Sequence, residues 1–123
     1  MSFKRSDRVA DLIKAEISDI LLKQVGDPRT RNVTVTGVKV TDDLRLSKVF
    51  FVSMGEDVSS DDAQEGLERA SGFLRRELGK RLQLRYVPEL KFIFDESFEY
   101  GDRIERLLAD IHKRKTSDVG QNS

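Results

Sequence analysis

Cysteine and tryptophan are missing from the sequence, histidine occurs once, and only two prolines interrupt its 123 residues. Without cysteine there is no disulfide and no thiolate metal site, so nothing calls for an oxidising compartment and a cytoplasmic setting is expected. The single histidine, His112, stands beside the basic Lys113-Arg114-Lys115 and reads as a solvated surface group rather than a catalytic base. No apolar run approaches the ~18 residues of a membrane span, and Met1-Ser2-Phe3-Lys4-Arg5 lacks the apolar core of an export signal. There is no GxxxxGK[ST] phosphate loop, no GxGxxG fingerprint and no EF-hand pattern. No cofactor, no metal and no membrane partner is therefore expected.

What is present suits one domain. Hydrophobic residues make up 37% and charged residues 36%, which implies one modest core under a heavily solvated surface. Residues 1–112 are expected to form that domain and the polar stretch 113–123 to be disordered. The 22 basic and 22 acidic residues cancel, yet they are unevenly placed. Glu56, Asp57, Asp61, Asp62 and Glu65 occur in a stretch with no base, whereas Arg69, Arg75, Arg76, Lys80, Arg81, Arg85 and Lys91 are opposed only by Glu77 and Glu89. An electrostatically two-sided molecule follows.

Apolar periodicity orders the elements. Val9, Ile13, Ile17, Ile20 and Leu21 recur at three- and four-residue spacing, which predicts a helix over 7–25, N-capped by Ser6 or Asp7 and ended by Gly26-Asp27-Pro28. Val33 to Val40 alternates, but its apolar phase shifts across Gly37, as a bulge there would produce. Thr41-Asp42-Asp43 reads as a turn, and residues 45–54 as the antiparallel partner strand. A helical run over 61–84 sets Leu67, Leu74, Leu78 and Leu82 on one side and Arg69, Arg76 and Lys80 on the other, with Arg75 and Arg81 at the flanks. Within it, Ala70-Ser71-Gly72 is a place where a kink or a close backbone approach is easy. Leu90, Phe92 and Phe94 alternate as a third strand after Val87-Pro88, and Tyr100, Ile104, Leu107, Leu108 and Ile111 mark a last amphipathic helix.

Few groups could carry covalent chemistry. Asp42-Asp43 and Asp61-Asp62 can be imagined as paired carboxylates, but adjacent aspartates in a turn or a first helical turn are ordinary turn formers and N-terminal charges. The basic helix face has its own plain explanation as solvated surface. Three features favour phosphate binding instead: bases outnumber acids locally, arginine can fork onto phosphate oxygens, and the small segment Ala70 to Gly72 adjoins them. Lys4, Arg5 and Arg8 near the N-terminus extend the same idea. The candidate RNA-binding set is thus Arg5, Arg8, Ala70, Ser71, Gly72, Arg75, Arg76, Lys80, Arg81 and Arg85, with no catalytic residue.

The order of elements resembles a type II KH domain, an α+β fold (α-β-β-α-kink-α-β) whose three-stranded sheet is packed by helices, here with a further C-terminal helix. A GxxG loop, the usual KH backbone clamp, is absent. In its place Ala70-Ser71-Gly72 resembles the Ala-x-Gly interhelical kink of the ribosome-binding factor A family. Arg8-Val9, Asp27-Pro28-Arg29, Asp43-Leu44, Lys48-Val49, Leu74-Arg75 and the string Leu84-Arg85-Tyr86-Val87-Pro88-Glu89-Leu90-Lys91-Phe92 resemble the same family. Ser47 stands where that resemblance leads one to expect alanine. The resemblance covers about residues 4–111. It implies a late maturation factor of the small (30S) ribosomal subunit that binds its rRNA, supports 16S rRNA processing and matters for growth in the cold. It also implies no ATP, a monomer, and assembly GTPases as partners. Two rival readings are a protein adaptor using the hairpin and the C-terminal helix, and a hydrolase using Asp42 or Asp95.

Overall fold

A computed structural model of the chain describes residues 4–55 and 58–121. Helix α1 spans Arg5–Lys23, strands β1 and β2 span Val33–Val40 and Leu46–Ser53, and helix α2 spans Ser60–Leu82. Strand β3 (Glu89–Phe94) and helix α3 (Glu96–Gln121) complete the chain. The fold is α+β and KH-like, as expected.

Helix α1 begins earlier than the sequence predicts. Lys4, not Ser6 or Asp7, is the N-cap, and its N–H donates to the Asp7 carboxylate at 3.2 Å, so Asp7 reaches back from inside the first turn. The buried stripe Val9, Ile13, Ile17, Ile20 and Leu21 is the predicted one. Helix α2 is capped by Ser59, whose hydroxyl accepts from the Asp62 N–H at 3.1 Å, with Asp61 and Asp62 at its positive end. It ends at Leu82, where Gln83 turns left-handed at φ 53°. Glu56 and Asp57 of the acidic stretch lie outside the described residues.

The interruption at Ala70-Ser71-Gly72 does not divide α2, which is a single helix from Ser60 to Leu82. No proline breaks its hydrogen bonding, and Gly72 keeps a negative φ. The face assignment along α2 therefore holds: Leu67, Leu74 and Leu78 are fully buried, and Arg69, Arg76 and Lys80 are exposed. Gly66 has a packing reason, because a Cβ there would meet Arg29 Cβ and Thr30 Cγ2 at 3.1 Å, where the 3-10 turn Pro28–Thr30 rests on α2. Helix α3 continues to Gln121. No proline or glycine occurs in 113–119 to stop it. Asn122 and Ser123 lie outside the described residues.

The sheet has the order β1-β2-β3, with β1 antiparallel and β3 parallel to the central β2. A register shift between Val35 and Gly37 makes Thr36 the extra residue of a bulge, next to the glycine at which the sequence places it. The Thr36 hydroxyl donates to Asp95 at 2.6 Å, tying the bulge to the end of β3. Helices α1 and α2 cover one face, where Val35, Val40, Val49, Phe51, Leu90 and Phe92 join Ile13, Ile17, Ile20, Leu67, Leu74 and Leu78 in one core.

Ser47 also faces inward. It is fully buried, and its hydroxyl finds no hydrogen-bond partner among the described residues. A buried unsatisfied donor costs about 1–3 kcal/mol. Ser47→Ala is therefore expected to raise the thermal midpoint by several degrees in a calorimetric scan.

Candidate nucleic-acid interface

The C-terminal half of α2 and the chain that follows it bring four of the predicted residues to one place. Gly72, Arg75 and Arg76 from α2 and Arg85 from the connection to β3 line a shallow groove of about 450 Å³, together with Gly79, Tyr86 and Val87. Helical spacing explains the first group, since residues 72, 75, 76 and 79 share a face at i, i+3, i+4 and i+7. The second group arrives because Pro88 ends an extended stretch directed into β3, and Arg75 fastens that stretch by donating Nη2–H to the Val87 carbonyl at 3.0 Å.

The chemistry of the groove is cationic and open. Arg76 is exposed and makes no hydrogen bond or ion pair among the described residues. The Arg85 guanidinium lies 5.8 Å from the centre of the Tyr86 ring, and that ring is 79% exposed. Nothing lies within 4 Å of where a Cβ on Gly72 would sit, so this glycine is not demanded by packing within the chain. It leaves bare helix backbone at the floor of an arginine-rimmed depression. Fork-shaped donors, a solvent-facing aromatic plane and close access to backbone can receive a phosphate chain and an unstacked base.

Other predicted residues are not part of this assembly. Arg81 is withdrawn from it: its Nη1 donates to Glu16 at 2.9 Å and Asp19 at 2.7 Å, both on α1. This double pairing raises the Arg81 pKa and, with Lys23, lowers that of Asp19, so Arg81 is a strap between helices. Lys80 is exposed but lies 3.7 Å from Glu77, and Arg69 lies 3.4 Å from Glu65. Ala70 packs against the core, and Ser71 is half-buried in the helix. Arg5 and Arg8 are exposed on the first turns of α1, outside the groove. That helix end sits near the β1–β2 turn, where Asp42 meets Lys4 Nζ at 3.7 Å and the Ser6 hydroxyl at 3.4 Å.

Tyr86 is the residue that sequence reasoning overlooked. A signal for it exists, an aromatic directly after an arginine in a non-periodic stretch before proline. The aspartates considered for hydrolysis are occupied structurally. Asp43 accepts from Thr41 and the Arg45 N–H inside the turn, which lowers its pKa. Asp95 accepts from Ser97, Thr36 and the Phe98 N–H, which lowers its pKa as well, the opposite of what a general acid needs. Asp27, held to about 2 mainly by Arg29, caps the 3-10 turn. Among the described residues no cluster of acids and histidine suits a metal ion, and no helix is long and apolar enough to cross a membrane.

A model of the family described as ribosome-binding factor A matches residues 5–108. The chain belongs to the ribosome-binding factor A family. A ribosome-binding factor A from Syntrophus aciditrophicus is 59% identical over 116 residues, covering 94% of each chain, and one from Syntrophobacter fumaroxidans is 54% identical over 94% of this chain and 100% of its own. The crystal structure of ribosome-binding factor A from Thermus thermophilus superposes with a TM-score of 0.62 at 24% identity, covering 72% of this chain and 93% of that one, which supports the fold. A homology model of the Thermus thermophilus factor, fitted into a cryo-EM map of its complex with the 30S subunit, matches with a TM-score of 0.53 at 25% identity over 69% of this chain and 93% of that one. Membership makes the chain a ribosome-binding factor.

Proposed function

We propose that the chain is an RNA-binding assembly factor of the small ribosomal subunit, acting late in its maturation and supporting 16S rRNA processing without covalent chemistry. The observation that carries this reading is the groove in which Arg75, Arg76 and Arg85 surround the open backbone of Gly72 beside exposed Tyr86. The related factor placed in a 30S map supports the choice of partner. In the proposed mechanism the arginines neutralise rRNA phosphates, Tyr86 stacks on an unpaired base, and preferential binding of one RNA conformation shifts its population. A monomer in the cytoplasm fits this role, with importance for growth in the cold and release assisted by an assembly GTPase.

Sedimentation of the purified chain with ribosomal particles tests the reading. It is expected to travel with free small subunits rather than complete ribosomes, and to be stripped by added salt as counterions return to the RNA. Gly72→Ala sharpens the test. Alanine should stabilise α2 by about 0.5–1 kcal/mol, since glycine is unfavourable inside a helix and the new methyl meets nothing. The same methyl would stand between helix backbone and RNA, so binding is expected to fall by about tenfold. A variant that melts higher and binds as tightly as the parent would remove Gly72 from the interface.

A second reading rests on α3. Tyr100, Leu107 and Leu108 are all more than half exposed on this amphipathic helix, a surface a protein partner could cover. Association that survives nuclease treatment would favour it.

A further inference from the structure

The sheet face turned away from α1 and α2 carries a row of three lysines. Lys39 is paired with Lys48 across β1 and β2, and Lys48 with Lys91 across β2 and β3. All three point outward, because Val40, Ser47, Val49, Leu90 and Phe92 beside them in the strands turn into the core. With strands about 4.8 Å apart, the row spans roughly 10 Å, close to one Debye length at moderate salt, so the three charges act on the same anion. Among the described residues none of the three ammonium groups forms an ion pair or hydrogen bond.

Such a row has a local cost, since like charges directly opposite one another destabilise a sheet. Protection of exposed edges would explain Lys39 on β1 and Lys91 on β3, but not Lys48 in the middle of the central strand. By register, Gly37, Phe50 and Ile93 form the neighbouring row on this face, and Phe50 and Ile93 are half-buried. Helix α3 starts near Val52, four residues along β2 from Lys48 and so about 13 Å away. Lys39 and Lys91 are exposed and Lys48, flanked by both, is half-buried.

We propose that Lys39, Lys48 and Lys91 form a second RNA contact that receives consecutive phosphates of the sugar-phosphate chain, with Phe50 and Ile93 giving it an apolar border. Within the row itself no acid intervenes, the nearest on this face being Glu89 two residues before Lys91 on β3, and flexible point charges suit phosphates read without sequence preference, whereas protein interfaces are depleted of lysine. The proposal takes its class of partner from the function proposed above, but it uses the opposite side of the sheet from α2 and fails separately.

The test uses the full chain and protein-free small-subunit RNA, titrated at about 50 to 200 mM salt. Lys48→Gln is expected to bind severalfold more weakly, with the slope of log affinity against log salt shallower by about 0.7–0.9, the value of one phosphate contact. Lys48→Glu is expected to bind at least ~10-fold more weakly. It should nevertheless melt at a higher temperature, because a Lys-Glu-Lys ladder replaces three like charges. Opposite movement of stability and binding is the result that a merely structural lysine would not give. Wild-type affinity in Lys48→Glu, alongside weakened affinity in an Arg76→Glu/Arg85→Glu chain, would overturn the lysine site and leave the groove standing. The reverse pattern would support the lysines and sink the groove. A Lys48→Glu defect seen with assembled subunits but not with protein-free RNA would assign the row to a ribosomal protein and also overturn the proposal.

Discussion

Reversing charge at two groove positions, Arg76→Glu with Arg85→Glu, is expected to weaken binding to small subunits by about a hundredfold or more. A hydrogen bond to a charged group contributes about 1.5–3 kcal/mol, and removing two such bonds at once accounts for that factor before repulsion is added. Both side chains are exposed, and neither makes an ion pair within the described residues, so the fold should be unaffected beyond about 0.5 kcal/mol. Arg75 is deliberately left in place, because its bond to the Val87 carbonyl holds the connection that carries Arg85 and Tyr86. Equilibrium binding to purified small subunits, with circular dichroism to confirm folding, is the measurement. A folded double variant with parental affinity would exclude the groove.

The second large effect concerns the core. Phe51→Ala is expected to destabilise the chain by about 3–5 kcal/mol, the range for removing a fully buried phenylalanine. Phe51 sits on the central strand with no solvent exposure and meets Phe94 edge-to-face, at a centroid distance of 5.9 Å and an interplanar angle of 73°. Since domains are stable by only about 5–15 kcal/mol, the variant should approach global unfolding near physiological temperature. Phe50→Ala is the control. That neighbour points to the open face and is half-buried, so its removal should be much milder in the same denaturant titration.

The Phe50-Phe51 pair shows where sequence reading succeeds and where it stops. Alternation along β2 says that the two rings lie on opposite faces, and the stripe of Leu67, Leu74 and Leu78 says which side of α2 is core. Both are properties of neighbouring residues and are legible without coordinates. The bulge beside Gly37 is legible for the same reason, as a slip of phase within one strand. Arg76 can be placed on the exposed face of α2 because helical period alone decides that. Ala70-Ser71-Gly72 lies within one helical span, since small residues permit a bend without ending a helix.

Arg81 shows the limit from the other side. On the helix plot it resembles Arg75, yet its partners Glu16 and Asp19 are 65 and 62 residues away in the chain, and only the crossing of α1 and α2 brings them together. Arg85 and Tyr86 likewise belong with Gly72 only because β3 enters the sheet parallel to β2. The lysine row exists only through the register of three strands.

Local period and composition thus settle, before any coordinates, the elements and their buried sides, the absence of thiol and histidine-cluster chemistry, and a basic helix face. Which cations are held by internal carboxylates and which converge on open surface depends on how the elements pack. Through-space pairing has no period along the chain, and the free energy of a charge depends on what stands beside it rather than on what precedes it.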